Sequence, residues 1–187
     1  MRKSFCSLIS FLLFSLLACG AASAHWYVAP TGNDANNGSK RKPLKTIAAA
    51  LQRVNPGDTV FLREGSYGEF VVPTRSGKPG KMITLKSYPG EIAKIDGSDL
   101  YVKGWGNALV QVKNIDYMQF ENLHICHAHD SENNTDPEGI YITGTSGNIT
   151  FRGCKVYDIK NDCPLVDAKG DWRSAVSYTH LTLPTKA

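Results

Sequence analysis

The sequence predicts an all-β solenoid of short parallel strands, with one amphipathic helix placed before its first coil. Three observations predict it. Apolar residues alternate with period two in runs of only a few residues, a block returns in register 31 positions later, and a single stretch carries helical periodicity. Seventeen Gly and nine Pro in 187 residues supply turns for such a fold, and 42% hydrophobic content is enough for a core.

Met1 to Ala24 reads as a secretory leader. Arg2 and Lys3 form the basic start, Leu8 to Leu17 the apolar stretch, and Ala22-Ser23-Ala24 the small-residue cleavage site. The apolar run is too short to predict a membrane span. Leu16-Leu17-Ala18-Cys19-Gly20 resembles a bacterial lipoprotein box, which makes lipidation at Cys19 the alternative to cleavage after Ala24. Either way the expectation is export: a secreted, periplasmic or cell-surface protein, expected as a monomer. Without Arg2 and Lys3, 19 basic residues remain against 17 acidic ones, scattered along the chain, so nucleic acid is not an expected partner. Three Cys follow the leader: Cys126, Cys154 and Cys163. That sparse, odd set is expected as buried thiols rather than a disulfide scaffold, with one bridge as the alternative.

Residues 25–57 read as a cap region. His25 to Pro30 is a short strand, followed by a Gly/Asn-rich loop and a helix over Pro43 to Val54. Pro43 suits a first-turn position, and Leu44, Ile47, Ala48, Leu51 and Val54 form one apolar face. Asn55-Pro56-Gly57 ends the helix. A solenoid's terminal coil exposes a sheet edge, and this helix is placed to cover it.

From Asp58 to Trp172 the pattern is strand and turn. Val60 and Leu62 point one way, and equivalent pairs return as Ile83/Leu85, Val110/Val112 and Ile140/Ile142, at steps of 23, 27 and 30 residues. Those pairs predict two ladders, Val60/Ile83/Val110/Ile140 and Leu62/Leu85/Val112/Ile142. Second strands are expected at Phe70 to Val72, Ala93 to Ile95, Met118 to Phe120 and Ile149 to Phe151. Residues 115–128 align with 146–159, which matches Met118 to Ile149, Phe120 to Phe151 and Ile125 to Val156. One coil cannot bury its inward side chains alone, whereas stacked coils pile equivalent residues into ladders. An antiparallel sandwich is the structural rival, but it does not predict an in-register repeat.

The block Tyr27-Val28-Ala29-Pro30-Thr31-Gly32-Asn33-Asp34 is followed by Asn36-Asn37-Gly38-Ser39 and Lys45-Thr46-Ile47. Pro56 to Tyr67, Pro79 to Leu85, Tyr88 to Glu91 and Ile95 to Ser98 complete the series. This order resembles the N-terminal region of secreted bacterial right-handed parallel β-helix proteins, a group with pectate-lyase-like, alginate-lyase-like and chondroitinase-B-like members. The resemblance covers about residues 26–160. It implies a right-handed β-helix and a carbohydrate-active function, and it is more specific for fold than for activity. Arg173 to Ala187 continues no ladder and resembles translated adapter read-through. It is expected to be non-native, with a natural terminus as the alternative. In the first case further coils are expected to follow, and the resemblance, which places the catalytic coils mid-solenoid, implies that this chain lacks the complete active site.

The resemblance implies β-elimination on an acidic polysaccharide. A cation neutralises the uronate carboxylate, a Lys or Arg removes the adjacent proton, and the glycosidic oxygen leaves. Calcium is the expected cofactor, and it takes several oxygen ligands. The richest polar stretch runs from His127 to Glu138 and continues at Asp158, Asp162 and Asp167. Asp130, Asp136, Asp158 and Asp162 are the candidate calcium ligands. Lys155 and Lys160 are the candidate bases, and His127, His129 and Tyr141 the candidate substrate contacts. The 31-residue alignment puts His127 over Asp158 and His129 over Lys160 at one corner. The blander reading of this stretch is an acid-rich loop whose Asp and Asn residues make turns. Trp105, Tyr117 and Tyr141 are candidate sugar-stacking rings, although lone aromatics on such folds more often shield turns. Two other functions fit the same residues: a non-catalytic glycan-binding or adhesin-like surface solenoid, and a β-helix glycoside hydrolase with paired carboxylates such as Asp158 and Asp162.

Overall fold

The structure, a computed structural model, describes residues 23–100, 108–129 and 137–159. Among the described residues, successive coils contribute short strands to three parallel sheets. The first sheet has the order β1-β2-β4-β7-β10, from β1 (His25–Val28), β2 (Thr59–Leu62), β4 (Ile83–Ser87), β7 (Asp116–Glu121) and β10 (Gly147–Arg152). The second runs β11-β8-β5-β3, from β3 (Gly65–Tyr67), β5 (Ala93–Asp96), β8 (Leu123–Cys126) and β11 (Lys155–Tyr157). The third pairs β6 (Ala108–Lys113) with β9 (Glu138–Thr143), and Val71 bridges to it in parallel through Val110. The parallel β-solenoid is the fold that the repeat predicts, with one short helix among the described residues.

The registers confirm the 31-residue step and correct the earlier ladders. Met118 pairs with Ile149, Phe120 with Phe151, and Ile125 with Val156. Val110 pairs with Ile140 and Val112 with Ile142, as expected. Val60, however, pairs with Leu85 rather than Ile83, and Leu85 continues to Phe120 instead of Val112. The observed ladder is therefore Val60/Leu85/Phe120/Phe151, every member fully buried. Its last two rings stack at 4.5 Å and 4°. The errors have two causes. A slip of two residues (Ile83 for Leu85) leaves the same side chains facing inward, so period-two alternation cannot detect it, and Val110 and Val112 lie on the third sheet rather than the first. The two-unit coil also gives way to three faces. Phe70–Val72 joins the third sheet through Val71, while β3 occupies the second-sheet position assigned to it.

The helix is shorter than its periodicity suggests. Leu44 is extended and pairs with Val28, its N–H donating to the Tyr27 carbonyl at 2.8 Å, so Pro43 is no first-turn residue. Thr46 is the N-cap, and α1 spans Ile47–Leu51. Two carboxylates fix that start. Asp34 accepts from the Lys45 and Thr46 N–H groups, and Glu69 accepts from those of Ile47 and Ala48, satisfying donors that a first turn leaves open. Ile47, Ala50, Leu51 and Val54 turn into the core, whereas Ala48, placed on the apolar face by spacing, is exposed. The helix packs on β1 and β2. Buried Asp58 anchors the same end, accepting from Trp26 Nε1 at 3.0 Å and the Asn55 N–H at 2.9 Å. Cys126 and Cys154 are buried free thiols, in line with expectation, and Cys163 lies outside the described residues.

Corners recur with the coil. Tyr117 and Asn148, Asn122 and Gly153, and His127 and Asp158 are pairs 31 positions apart, and all six have φ between 51° and 62°. Asn and Gly take this left-handed region readily. At Gly97 close approach is the constraint, since a Cβ there would lie 2.5 Å from the His127 carbonyl oxygen of the next coil.

Candidate functional site

The corner where the second sheet ends gathers titratable side chains from three coils. Asp96 closes β5 and Cys126 closes β8, and these two residues pair in register. His127 follows Cys126 and Asp158 follows β11, both in the left-handed backbone that swings their side chains out at the turn. His127 Nδ1 lies 2.9 Å from Asp96 Oδ1, and its Nε2 lies 3.7 Å from Asp158 Oδ2. The sequence-predicted stacking of His127 on Asp158 is thus present. Asp96 was absent from the predicted set. The Ser98 hydroxyl donates to Asp96 Oδ1 at 2.6 Å. Burial acts to raise the Asp96 carboxyl, but the bonds from Ser98 and His127 outweigh it and bring it down to about 2. Asp96 is therefore ionised at any ordinary pH. With two carboxylates around one imidazole, the corner favours a positive ligand.

A basic column runs beside it. On the outer face of the second sheet, Lys94 pairs with His124 and His124 with Lys155. Burial lowers the His124 pKa, and the ammonium groups of Lys155 and Lys94 lower it further. The Tyr157 ring meets His124 and His127 edge-on, with centroids at 5.8 and 6.1 Å. Burial and the neighbouring Cys126 thiol push the Tyr157 hydroxyl up to about 12, so it remains a neutral hydrogen-bonding group.

The other predicted residues are divided. His129 is half-buried two positions beyond His127, and Lys160, aligned with it in the sequence repeat, lies outside the described residues. Tyr141 sits apart from the corner group, on β9 opposite Gln111 in the third sheet. Asp130, Asp136 and Asp162 lie outside the described residues, as does Trp105.

Among the described residues, the grouping that could hold a metal is Asp96, Cys126 and His127, with ligand atoms within 4.8 Å of one another. A thiol, an imidazole and one carboxylate suit a zinc-like ion, whereas calcium takes oxygen ligands. This grouping does not fit calcium. Burial also holds the Cys126 thiol up, which opposes the thiolate a metal would need.

Comparison with known proteins places the chain. It matches the family described as Pel9A-like, right-handed β-helix region over residues 26–180, and it belongs to that family of pectate-lyase-like β-helix proteins. Pectate lyase L of Dickeya chrysanthemi is 35% identical over 171 residues, covering 81% of this chain and 36% of that protein. Among solved structures, a rhamnogalacturonan lyase superposes with a TM-score of 0.65 at 21% identity, over 73% of this chain and 36% of the other. The pectate lyase Pel9A superposes with a TM-score of 0.56 at 22% identity, over 76% and 42%. The two structures establish the shared fold. The chain spans about a third of the length of the curated relatives it matches. Among the described residues no helix is long and apolar enough to cross a membrane.

Proposed function

We propose that this chain is part of an exported polysaccharide lyase that cleaves uronate-containing glycans by β-elimination. The observation that carries the reading is the column Lys94–His124–Lys155 beside the Asp96–His127–Asp158 corner. The lysines on either side of His124 are suited to uronate carboxylates, and the acidic corner next to them is suited to a positive ligand. The pectate and rhamnogalacturonan lyases among its relatives support the substrate class.

In the reaction, a base takes the proton on the carbon next to the carboxylate. The electron pair of that C–H bond forms a carbon–carbon double bond, the glycosidic C–O bond breaks, and the departing oxygen acquires a proton. A neighbouring positive charge stabilises the carbanion-like transition state. Lys155, in its neutral amine form, is the described side chain assigned to the base, and Lys160, aligned with His129 in the 31-residue repeat, is its alternative. Calcium enters only through oxygen ligands, for which Asp158 would act with Asp130, Asp136 and Asp162.

The test supplies polygalacturonate, alginate and chondroitin to the protein, with calcium and with a chelator, and follows ultraviolet absorbance of the new double bond. Turnover of at least one substrate is expected, with Lys155→Ala lowering the rate about 100-fold or more. Full activity in Lys155→Ala would remove that residue from the role. Inactivity on all three substrates would sink the lyase assignment and favour a glycan-binding solenoid.

A further inference from the structure

A groove lies away from the corner, along the edge where the strands of the first sheet begin. It has a volume of about 550 Å³, and its lining includes Gly57, Lys81, Met82, Thr84, Tyr117, Asn148 and Thr150. Gly57 leads into β2, Lys81 and Met82 into β4, and Tyr117 and Asn148 stand at the starts of β7 and β10. These four strands are consecutive neighbours in the sheet. With neighbouring strands about 4.8 Å apart, the groove crosses about 14 Å of the stack. It follows the solenoid axis, a shape that suits an extended chain better than one ring.

The chemistry of the lining is specific. Among the described residues, no side-chain hydrogen bond is made by Lys81, Thr84, Tyr117, Asn148 or Thr150. Two hydroxyls on the sheet face, an amide, a phenol and an ammonium therefore converge on one groove with their capacity unspent. No described lining residue is acidic, so Lys81 leaves the groove positive. Tyr117 holds φ 53°, where a bulky side chain is uncommon, and Asn148 holds φ 52° at the equivalent turn one coil on. The turn itself is met by Asn, so it does not require a tyrosine. What Tyr117 adds is a ring at the groove wall, with Met82 as the other apolar contact.

We propose that this groove binds an extended acidic glycan chain, held by Lys81 through a carboxylate, by Thr84, Thr150 and Asn148 through hydroxyls, and by Tyr117 through a sugar face. The ligand class rests on the lyase reading; the location does not. The groove lies on the first sheet, whereas the corner and basic column end or face outward from the second. It would give the protein a second grip on a polymer whose cleavage occurs elsewhere.

Gel retardation in sodium polygalacturonate, with fully methyl-esterified pectin as the uncharged comparison, tests it. Wild type, Lys81→Ala, the double variant Thr84→Val/Thr150→Val and Lys155→Ala are run together. Valine is at home on a strand, so the double variant keeps the sheet if Lys81→Ala disturbs its turn. The acidic polymer is expected to retard wild type and the esterified polymer to do so weakly. Each groove variant is expected to weaken the affinity about fivefold or more, of the order of one lost polar contact. Unchanged retardation of both groove variants, or no retardation of wild type, overturns the proposal. Retardation lost in Lys155→Ala alone also overturns it, while leaving the lyase reading intact. Double-bond formation by a protein whose groove variants bind normally separates the two claims in the other direction.

Discussion

His124 shows at the scale of one residue how stacking sets chemistry. Its imidazole lies between Lys94 below and Lys155 above, a positive pair that only coil register brings together. Burial, then these two charges, hold its pKa below the ordinary 6.5. The sign follows from linkage. The unfolded chain binds the proton first as pH falls through 6.5, so His124 withdraws stability below that pH and leaves it unaffected above. Lys155→Ala should move the His124 pKa upward when the ring is titrated by NMR, and an unmoved or lowered value would contradict the stacking. Of the corner, His127 over Asp158 was legible, because both belong to the aligned 31-residue block. Asp96 was not, since its strand pairs one step out of that register, with Cys126, and Asp96-Gly97-Ser98 reads as an ordinary turn. Extending the 31-residue step back from His127 to Asp96 was the signal available.

At the scale of the element, the ladder Val60/Leu85/Phe120/Phe151 carries the first sheet. Phe151 is fully buried against Phe120, so truncating it opens a cavity and removes a stacked pair. Phe151→Ala should cost about 3–5 kcal/mol in urea unfolding. A loss below about 1 kcal/mol would mean that the ring is not in the core ladder. The alternation of apolar residues was enough to place strands and their inward faces. It could not fix register to within two residues, nor assign a strand to one of three sheets, because both depend on turn length. For a related reason the helix is shorter than its apolar spacing suggests. Apolar spacing continued back to Leu44, but the carboxylates of Asp34 and Glu69 meet the first N–H groups only from Lys45 onward, and tertiary pairing claims Leu44 for β1.

At the scale of the molecule, the stack turns separations of 25 to 35 residues in sequence into contacts. One acidic corner, one basic column and one axis-parallel groove arise this way, each assembled from successive coils. The fold was readable because repetition amplifies a weak local signal. The chemistry was less so, because a site on a solenoid is assembled across coils whose loops differ in length, and several predicted ligands sit in the segment between β8 and β9 and beyond Ile159.

The central claim, elimination from an acidic glycan, is tested most directly by product stoichiometry. Polygalacturonate digested by the protein is assayed for carbon–carbon double bonds by ultraviolet absorbance and for new chain ends by reducing-sugar titration. Elimination predicts one double bond for every new reducing end. New reducing ends without double bonds would contradict the account and mark a hydrolase.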